Sequence, residues 1–379
     1  MSMTLTPEQR AIVAHPLEPL RVSAGAGTGK TTTIVLRLAA LIESGIDPEQ
    51  TLGITFTNKA AEELADHLRG QLPELAATGR EVEVTTYHGF AYGILQEFGA
   101  LVGMERGADV IGPGFQRQLL EEGLVAGDYD SLDLTAPAHR VDESAALTRQ
   151  LGDNLLTTAD LTAAAPDSLD SVWEKRLELA SVAEAYAEAK TRVGVVDYAD
   201  LVRLAHRVVT EYPELAGRIR DRYRAVLLDE YQDSDPAQRL LMVAVFGDGF
   251  PVTAVGDADQ TIYEWRGASL ENFEGFPNHF PTADGTPAAT LPLTENRRSD
   301  RVILDLANRI RAEIHGPGGF DPLIPVDAAA SGEIEVAWLR TEADEANWIA
   351  NRVIQASEAG TPWSEIAALF RKNKHIGTV

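Results

Sequence analysis

The run Ala24-Gly25-Ala26-Gly27-Thr28-Gly29-Lys30-Thr31 follows a short apolar stretch, Leu20-Arg21-Val22, and opens a helical pattern from Thr32 to Ile42. Strand, glycine-rich turn and helix in that order make a phosphate-binding loop. Successive backbone N–H groups surround the phosphate oxygens, and the helix N-terminus adds its partial positive charge. Lys30 can reach the terminal phosphates, and the Thr31 hydroxyl can hold Mg²⁺. Ala24 stands where the general pattern has glycine, a difference of one methyl group. A glycine-rich turn that binds nothing is the competing reading; Gly29-Lys30-Thr31 at a helix start speaks against it.

Such a loop needs an acidic partner on a neighbouring strand. Ala225-Val226-Leu227-Leu228-Asp229-Glu230 supplies one, with apolar residues followed by two carboxylates. Open α/β sheets place ligands at the carboxyl ends of their strands. Asp229 is expected to bind Mg²⁺, directly or through water, and Glu230 to orient and deprotonate an attacking water. A capping Asp-Glu pair is the bland alternative.

The elements that must position these groups follow from patterning. Thr6 caps a first helix with Pro7 in its first turn. Thr51 to Phe56 reads as a buried strand, Ala60 to Arg69 as an amphipathic helix, and Val82 to Thr85 as a further strand. Strand, helix, strand, helix, strand predicts an α/β fold with a parallel sheet covered by helices. Residues 93–196 are helical in texture and carry eight Arg or Lys against eighteen Asp or Glu, an acidic helical insert. Its strongest helix runs from Leu169 to Arg192, with Val172, Leu179, Val182 and Tyr186 as a core face. The sheet pattern resumes at Ala225 and again at Pro251 to Asp257. Pro277 to Pro292 reads as a linker. Beyond it come Leu291-Pro292-Leu293, a helix from Asp300 to Ile314, a strand at Glu333 to Val336, a helix from Glu342 to Ala356 and a strand at Ile366 to Phe370.

The chain has 379 residues, enough for two or three domains, and no cysteine, which excludes disulfides, thiolate metal sites and cysteine nucleophiles. Met1 to Arg10 has no apolar signal region, and the longest apolar run, Leu240 to Phe246, is too short to cross a membrane. A cytoplasmic location without membrane association is expected. The net charge of −25 argues against diffuse nucleic-acid binding, which phosphate neutralisation normally drives. It leaves room for a narrow groove in which bases stack on aromatic rings.

Asp229-Glu230-Tyr231-Gln232-Asp233, followed by Val255-Gly256-Asp257-Ala258-Asp259-Gln260-Thr261-Ile262-Tyr263-Glu264-Trp265-Arg266-Gly267-Ala268, closely resembles the UvrD/Rep/PcrA group of superfamily 1 DNA helicases. Gln9, Ala24 to Thr31, Thr55 to Ala61, Thr86-Tyr87-His88, Asp197 to Leu201 and Asn296-Arg297-Arg298-Ser299 look like further motifs of that group, in its order. The resemblance implies a RecA-like nucleotide-hydrolysing core, ATP and Mg²⁺ as cofactors, and single-stranded DNA or DNA with a single-stranded tail as partner, with repair or replication proteins besides. It implies that Gln9 reads adenine, Gln260 senses the γ-phosphate and links it to DNA, and Arg298 touches that phosphate from a second motor domain. Phe56, Tyr198, Tyr263 and Trp265 match base-stacking positions. Thr86 and His88 match contacts to the strand's backbone, and Thr57, Asn58 and Arg266 lie in the same DNA-binding motifs. Each aromatic could instead be a core ring, and His88 a packed neutral histidine.

Two departures bear on the nucleotide. Thr32 follows Lys30-Thr31 where relatives often carry arginine, and Arg297 replaces a tyrosine that stacks on adenine; a guanidinium can also stack on a base. The resemblance further implies that the chain stops within the second motor domain, before a second catalytic arginine of a kind worth about 10³–10⁵ in rate. The reading is therefore an N-terminal fragment of a 3′-to-5′ helicase that binds ATP·Mg²⁺ and single strands and hydrolyses slowly. Its expected units are a first RecA-like domain (residues 1–92 and 197–276), the insert (93–196) and a partial second RecA-like domain (277–379). A subunit of a RecB/AddA-type helicase–nuclease, and a nucleotide switch without motor activity, are the rival readings.

Overall fold

The computed structural model describes residues 5–72, 79–316 and 318–378. Among the described residues ten strands are formed: β1 (Leu20–Ala24), β2 (Thr51–Thr55), β3 (Glu83–Thr86), β4 (Asp109–Val110), β5 (Val195–Val196), β6 (Ala225–Leu228), β7 (Val252–Gly256), β8 (Ala289–Leu293), β9 (Glu295–Asn296) and β10 (Ile324–Pro325). Six of them make one sheet in the order β3-β2-β6-β7-β1-β8, every pair parallel. The fold is α/β and RecA-like. Parallel pairing sends every strand's carboxyl end to one edge of the sheet, which is where the expected site residues reside.

The strands are apolar on both sides because helices cover both faces. Leu52, Ile54, Val226, Leu228, Val252 and Ala254 join a core with the helices Tyr87–Phe98, Tyr198–Glu211 and Pro236–Phe246. Leu20, Val22, Ala24, Leu227, Val255 and Leu293 form a second core with Ile34, Val35 and Leu38 of helix Lys30–Glu43 and with Leu64 and Leu68 of helix Asn58–Gln71. Val226 and Leu228 face one core and Leu227 the other, as the two-residue period of a strand demands.

The helical insert has its own core of Leu119, Leu120, Leu124, Val141, Leu179, Val182 and Tyr186. Of the face expected on its longest helix, Ser171–Val193, the residues Leu179, Val182 and Tyr186 are buried, whereas Val172 in the first turn is exposed. The paired two-residue strands β4 and β5 interrupt the helical texture at its base.

Three expectations are corrected. The stretch 277–292 is not a linker: Phe276 and Phe280 are fully buried around the short helix Phe276–His279, and β8 pairs with β1 along its whole length. Neither Glu333–Val336 nor Ile366–Phe370 forms a strand. Alternating apolar residues predict a strand only where a neighbour can complete the hydrogen-bond ladder. Val336 and Leu369 lie almost wholly exposed instead.

Candidate functional site

The phosphate loop leaves β1 and turns twice through left-handed backbone, at Gly27 (φ 74°) and Gly29 (φ 82°), conformations that favour glycine. Gly29 is the N-cap of helix Lys30–Glu43, and no side chain caps it. The first-turn N–H groups around Lys30, Thr31 and Thr32 therefore have no intrahelical partner, which is the donor set a phosphate needs. Thr28 stiffens the loop by donating from Oγ1 to the Gly25 carbonyl at 2.7 Å. Ala24, the one departure from glycine, is a fully buried strand residue, so its methyl group points into the core.

Two strands away, β6 ends at Asp229 and Glu230. Lys30 Nζ lies 2.5 Å from Glu230 Oε2. The same carboxylate oxygen accepts from Gln232 Nε2 at 2.8 Å. Glu230 holds a positive φ of 49°, unusual for a non-glycine and costly by about 1–3 kcal/mol. Asp229 is 7% exposed, and burial, with Glu230 beside it, raises its pKa to about 6. Gln232 is fully enclosed and ties two strand ends together, since its Oε1 accepts from the Asp257 N–H at 3.2 Å. A Cβ on Gly256 would come within 2.4 Å of that oxygen, which explains the glycine. Gln260 follows on the same turn and donates from Nε2 to Asp257 Oδ2 at 2.6 Å.

Gln9 is buried at the loop's flank. Its Oε1 accepts from Thr6 N–H in a capping box, and its Nε2 donates to Thr33 Oγ1 at 3.2 Å. A Cβ on Gly29 would lie 3.4 Å from that amide. Arg37, to which no role was assigned from the sequence, anchors this corner. Nearly inaccessible and without a carboxylate, it donates to Thr253 Oγ1 and to the carbonyls of Ile12, His15 and Pro16. Burial lowers its pKa to about 10. Its helical spacing from Lys30 was the only signal available.

After β8 the chain crosses over the phosphate loop. The Arg297 N–H donates to the Gly27 carbonyl at 2.9 Å, and the Arg298 N–H to Asn296 Oδ1 at 2.9 Å. The Arg297 guanidinium pairs with Glu295. Arg298 and Arg297 are thus both brought to the loop by their backbone.

The remaining predicted residues gather on the β2 and β3 half of the same edge. Phe56, half-buried after β2, stacks on Tyr263 with ring centroids 5.4 Å apart and planes at 26°. Tyr263 leans on Trp265 at 6.4 Å, and Arg266 lies over both rings. Trp265 is 62% exposed. Tyr198, 55% exposed, meets His88 edge to face at 5.3 Å, and burial lowers the His88 pKa. Thr57 and Thr86 cap their helices, each hydroxyl accepting a backbone N–H at 3.1 Å, and Asn58 opens the helix after Thr57. Phe56, Thr57, His88, Tyr198 and Arg266 line one cavity of about 700 Å³ between the sheet edge and the insert. Asp153, Asp233 and Asp235 share its walls. Burial raises Asp153 to about 7 and Asp235 to about 8, so both carry less negative charge at neutral pH than composition suggests.

A glycine-turned loop at a helix start, a carboxylate pair at the next strand but one and a cluster of partly exposed aromatic rings thus converge on one edge of a parallel α/β sheet. The UvrD/REP helicase N-terminal domain family matches residues 5–281, and the chain belongs to that family. It is 33% identical to the ATP-dependent DNA helicase UvrD1 of Mycobacterium tuberculosis, over 97% of this chain and 47% of the relative. It is 32% identical to DNA helicase II of Escherichia coli, over 98% of this chain and 48% of the relative. ATP-dependent DNA helicase PcrA of Leuconostoc citreum is 30% identical over 94% and 45%. The chain spans about half the length of these relatives. Among the described residues no helix is long and apolar enough to cross a membrane.

Proposed function

We propose that the chain is the ATP-binding and single-strand-gripping part of a DNA helicase that travels 3′ to 5′. The observation that carries this reading is that one loop, Asp257 to Gly267, joins the nucleotide half of the sheet edge to the aromatic half. Gln260 sits at one end of it beside Asp257, and Tyr263, stacked on Phe56, at the other. A change at the phosphates can therefore move a base-stacking ring through a short stretch of chain. In the accompanying division of labour, residues 1–92 and 197–276 form the first motor unit, 93–196 the insert, and 277–379 contribute to a second, with β8 of that stretch paired into the first sheet.

The site fits a Mg²⁺-bound nucleoside triphosphate: two left-handed glycines, an uncapped helix start, one lysine and a buried carboxylate converge at the loop. Bound Mg²⁺ would neutralise phosphate charge. Thr31 and Asp229 are its expected ligands, and the phosphate loop with Gln9, Thr32 and Arg297 would hold the rest of the nucleotide. Lys30 would exchange Glu230 for phosphate oxygens, which leaves Glu230 Oε2 able to accept a proton from water. Gln232 keeps that carboxylate in place during the exchange. Arg298, whose N–H is held by Asn296 Oδ1 beside the loop, would add positive charge where the transferred phosphoryl group becomes more negative.

Steady-state ATP hydrolysis with and without single-stranded DNA tests the reading, beside Lys30→Ala and Glu230→Gln. DNA-stimulated turnover that falls by about 10²-fold or more in Glu230→Gln is expected. In Lys30→Ala tight nucleotide binding should vanish, and unchanged ATP affinity there would remove the site assignment.

A further inference from the structure

Asn296 is 1% exposed, and both ends of its side-chain amide are hydrogen-bonded. Nδ2 donates to the Ala26 carbonyl at 2.5 Å, while Oδ1 accepts from the N–H groups of Arg298 at 2.9 Å and Ser299 at 2.8 Å. One side chain thus grips the phosphate loop with one end and the arginine-bearing turn with the other. Its own backbone is fixed by β9–β10 pairing, where Val326 N–H donates to the Asn296 carbonyl at 3.1 Å.

The consequence follows from peptide planarity. The Ala26 carbonyl and the Gly27 N–H belong to one rigid plane and point in opposite directions. Holding that carbonyl on Asn296 aims the Gly27 N–H away from Asn296. The fit is close: a Cβ on Gly27 would stand 2.7 Å from both Asn296 Nδ2 and Arg298 Cβ. A glutamine would push the loop away by a methylene, an aspartate would lose the donor, and a serine could still accept from the Arg298 and Ser299 N–H groups but would fall short of the Ala26 carbonyl. We propose that Asn296 is a positioning residue for phosphoryl transfer, locking the orientation of the phosphate loop to the placement of Arg298. This rests on the nucleotide-site reading above.

A double-mutant cycle on the full chain tests it, reading kcat and KM for ATP, the affinity for a fluorescent ATP analogue and the thermal unfolding midpoint. Asn296→Ala is expected to lower kcat by about tenfold or more, with a smaller change in KM. In an Arg298→Ala background the same substitution should change kcat little, because Asn296 acts through that arginine. Effects that multiply fully across the two sites would overturn the inference, as would unchanged kcat in folded Asn296→Ala. Should the alanine variant fail to fold, Asn296→Ser runs the same cycle with a polar group left at the site. Lys30→Ala separates the two claims. If it leaves analogue binding intact, the nucleotide-site reading falls; if it abolishes binding while the cycle is additive, only the role of Asn296 falls.

Discussion

At the residue scale, the site is organised by groups that spend their hydrogen bonds on one another. Glu230 Oε2 serves both Lys30 and Gln232, and Gln232 carries the contact on to the turn that holds Gln260. In the proposed role of activating water, a carboxylate held this way has little rotamer freedom to lose when substrate arrives, which is how preorganisation lowers a barrier. The aromatic side works on a different principle. Each base has a π-face, and stacking on an exposed ring contributes about 1–3 kcal/mol without reading sequence. Trp265 is the most exposed of these rings, and Arg266 lies over it 4.6 Å from its centroid. Trp265→Ala is therefore expected to weaken binding of a labelled oligothymidylate by about tenfold, measured by fluorescence anisotropy. The companion Leu17→Ala, on an exposed leucine remote from the aromatic stack, should leave it unchanged. Equal affinities for Trp265→Ala and the parent chain would remove the stacking role.

At the element scale, helix Pro137–Asp153 of the insert docks on the aromatic loop. Arg149 Nη2 donates to the Trp265 carbonyl at 3.1 Å, and a Cβ on Gly267, at φ 92°, would meet Asp153 Oδ2 at 2.4 Å. Asp153 pays for this closeness, since its buried Oδ2 has no hydrogen-bond partner. Burial raises its pKa to about 7 from an ordinary 3.8. A carboxyl raised in the folded state stabilises the fold fully below the unfolded value and loses that contribution as pH climbs through the folded one. Asp153→Asn removes the titration. Its thermal midpoint should exceed the parent's by a few degrees at about pH 8, a gain that shrinks toward about pH 4. A pH-independent difference in scanning calorimetry would contradict this account.

Elements also set the limit of patterning. The helices Lys30–Glu43 and Arg301–His315 are legible because an apolar period runs through each and a glycine, Gly45 or Gly316, follows its end. Ile366 to Phe370 looks as much like a strand as β7 does, yet only β7 has neighbours on both sides. The Pro and Gly content of 277–292 disguised β8, whose proline stands in an edge strand, the place in a sheet that tolerates a missing donor.

At the scale of the whole molecule, the single-stranded DNA proposed as partner is a polyanion, and the chain's own net charge is −25. The cleft meets this in two ways. Its cations near the rings are Arg149 and Arg266, and its buried carboxyls Asp153 and Asp235 are held partly protonated near neutrality. On the proposed reading few phosphates are then neutralised, and stacking supplies most of the affinity. A plot of log affinity for single-stranded DNA against log salt should have a slope shallower than about −3, as expected when only a few phosphate contacts release counterions. A steeper slope in titrations at constant pH would show that a basic surface elsewhere carries the binding.

The sequence by itself determined the glycine-turned loop before helix Lys30–Glu43, the Asp229-Glu230 pair after β6 and the order along the chain of β1, β2, β3, β6 and β7. Each is specified by neighbours within a few residues: glycines where φ is positive, a cap before a helix, apolar residues before two carboxylates. Only the tertiary structure decided which of these groups meet. Lys30 and Glu230 are 200 positions apart, and parallel order alone sets β1 and β6 on either side of β7 with their carboxyl ends on one edge. The buried amides of Gln232 and Asn296 escaped assignment for the same reason. An amide's role depends on which unpaired carbonyls and N–H groups the fold brings beside it, and no local pattern records that.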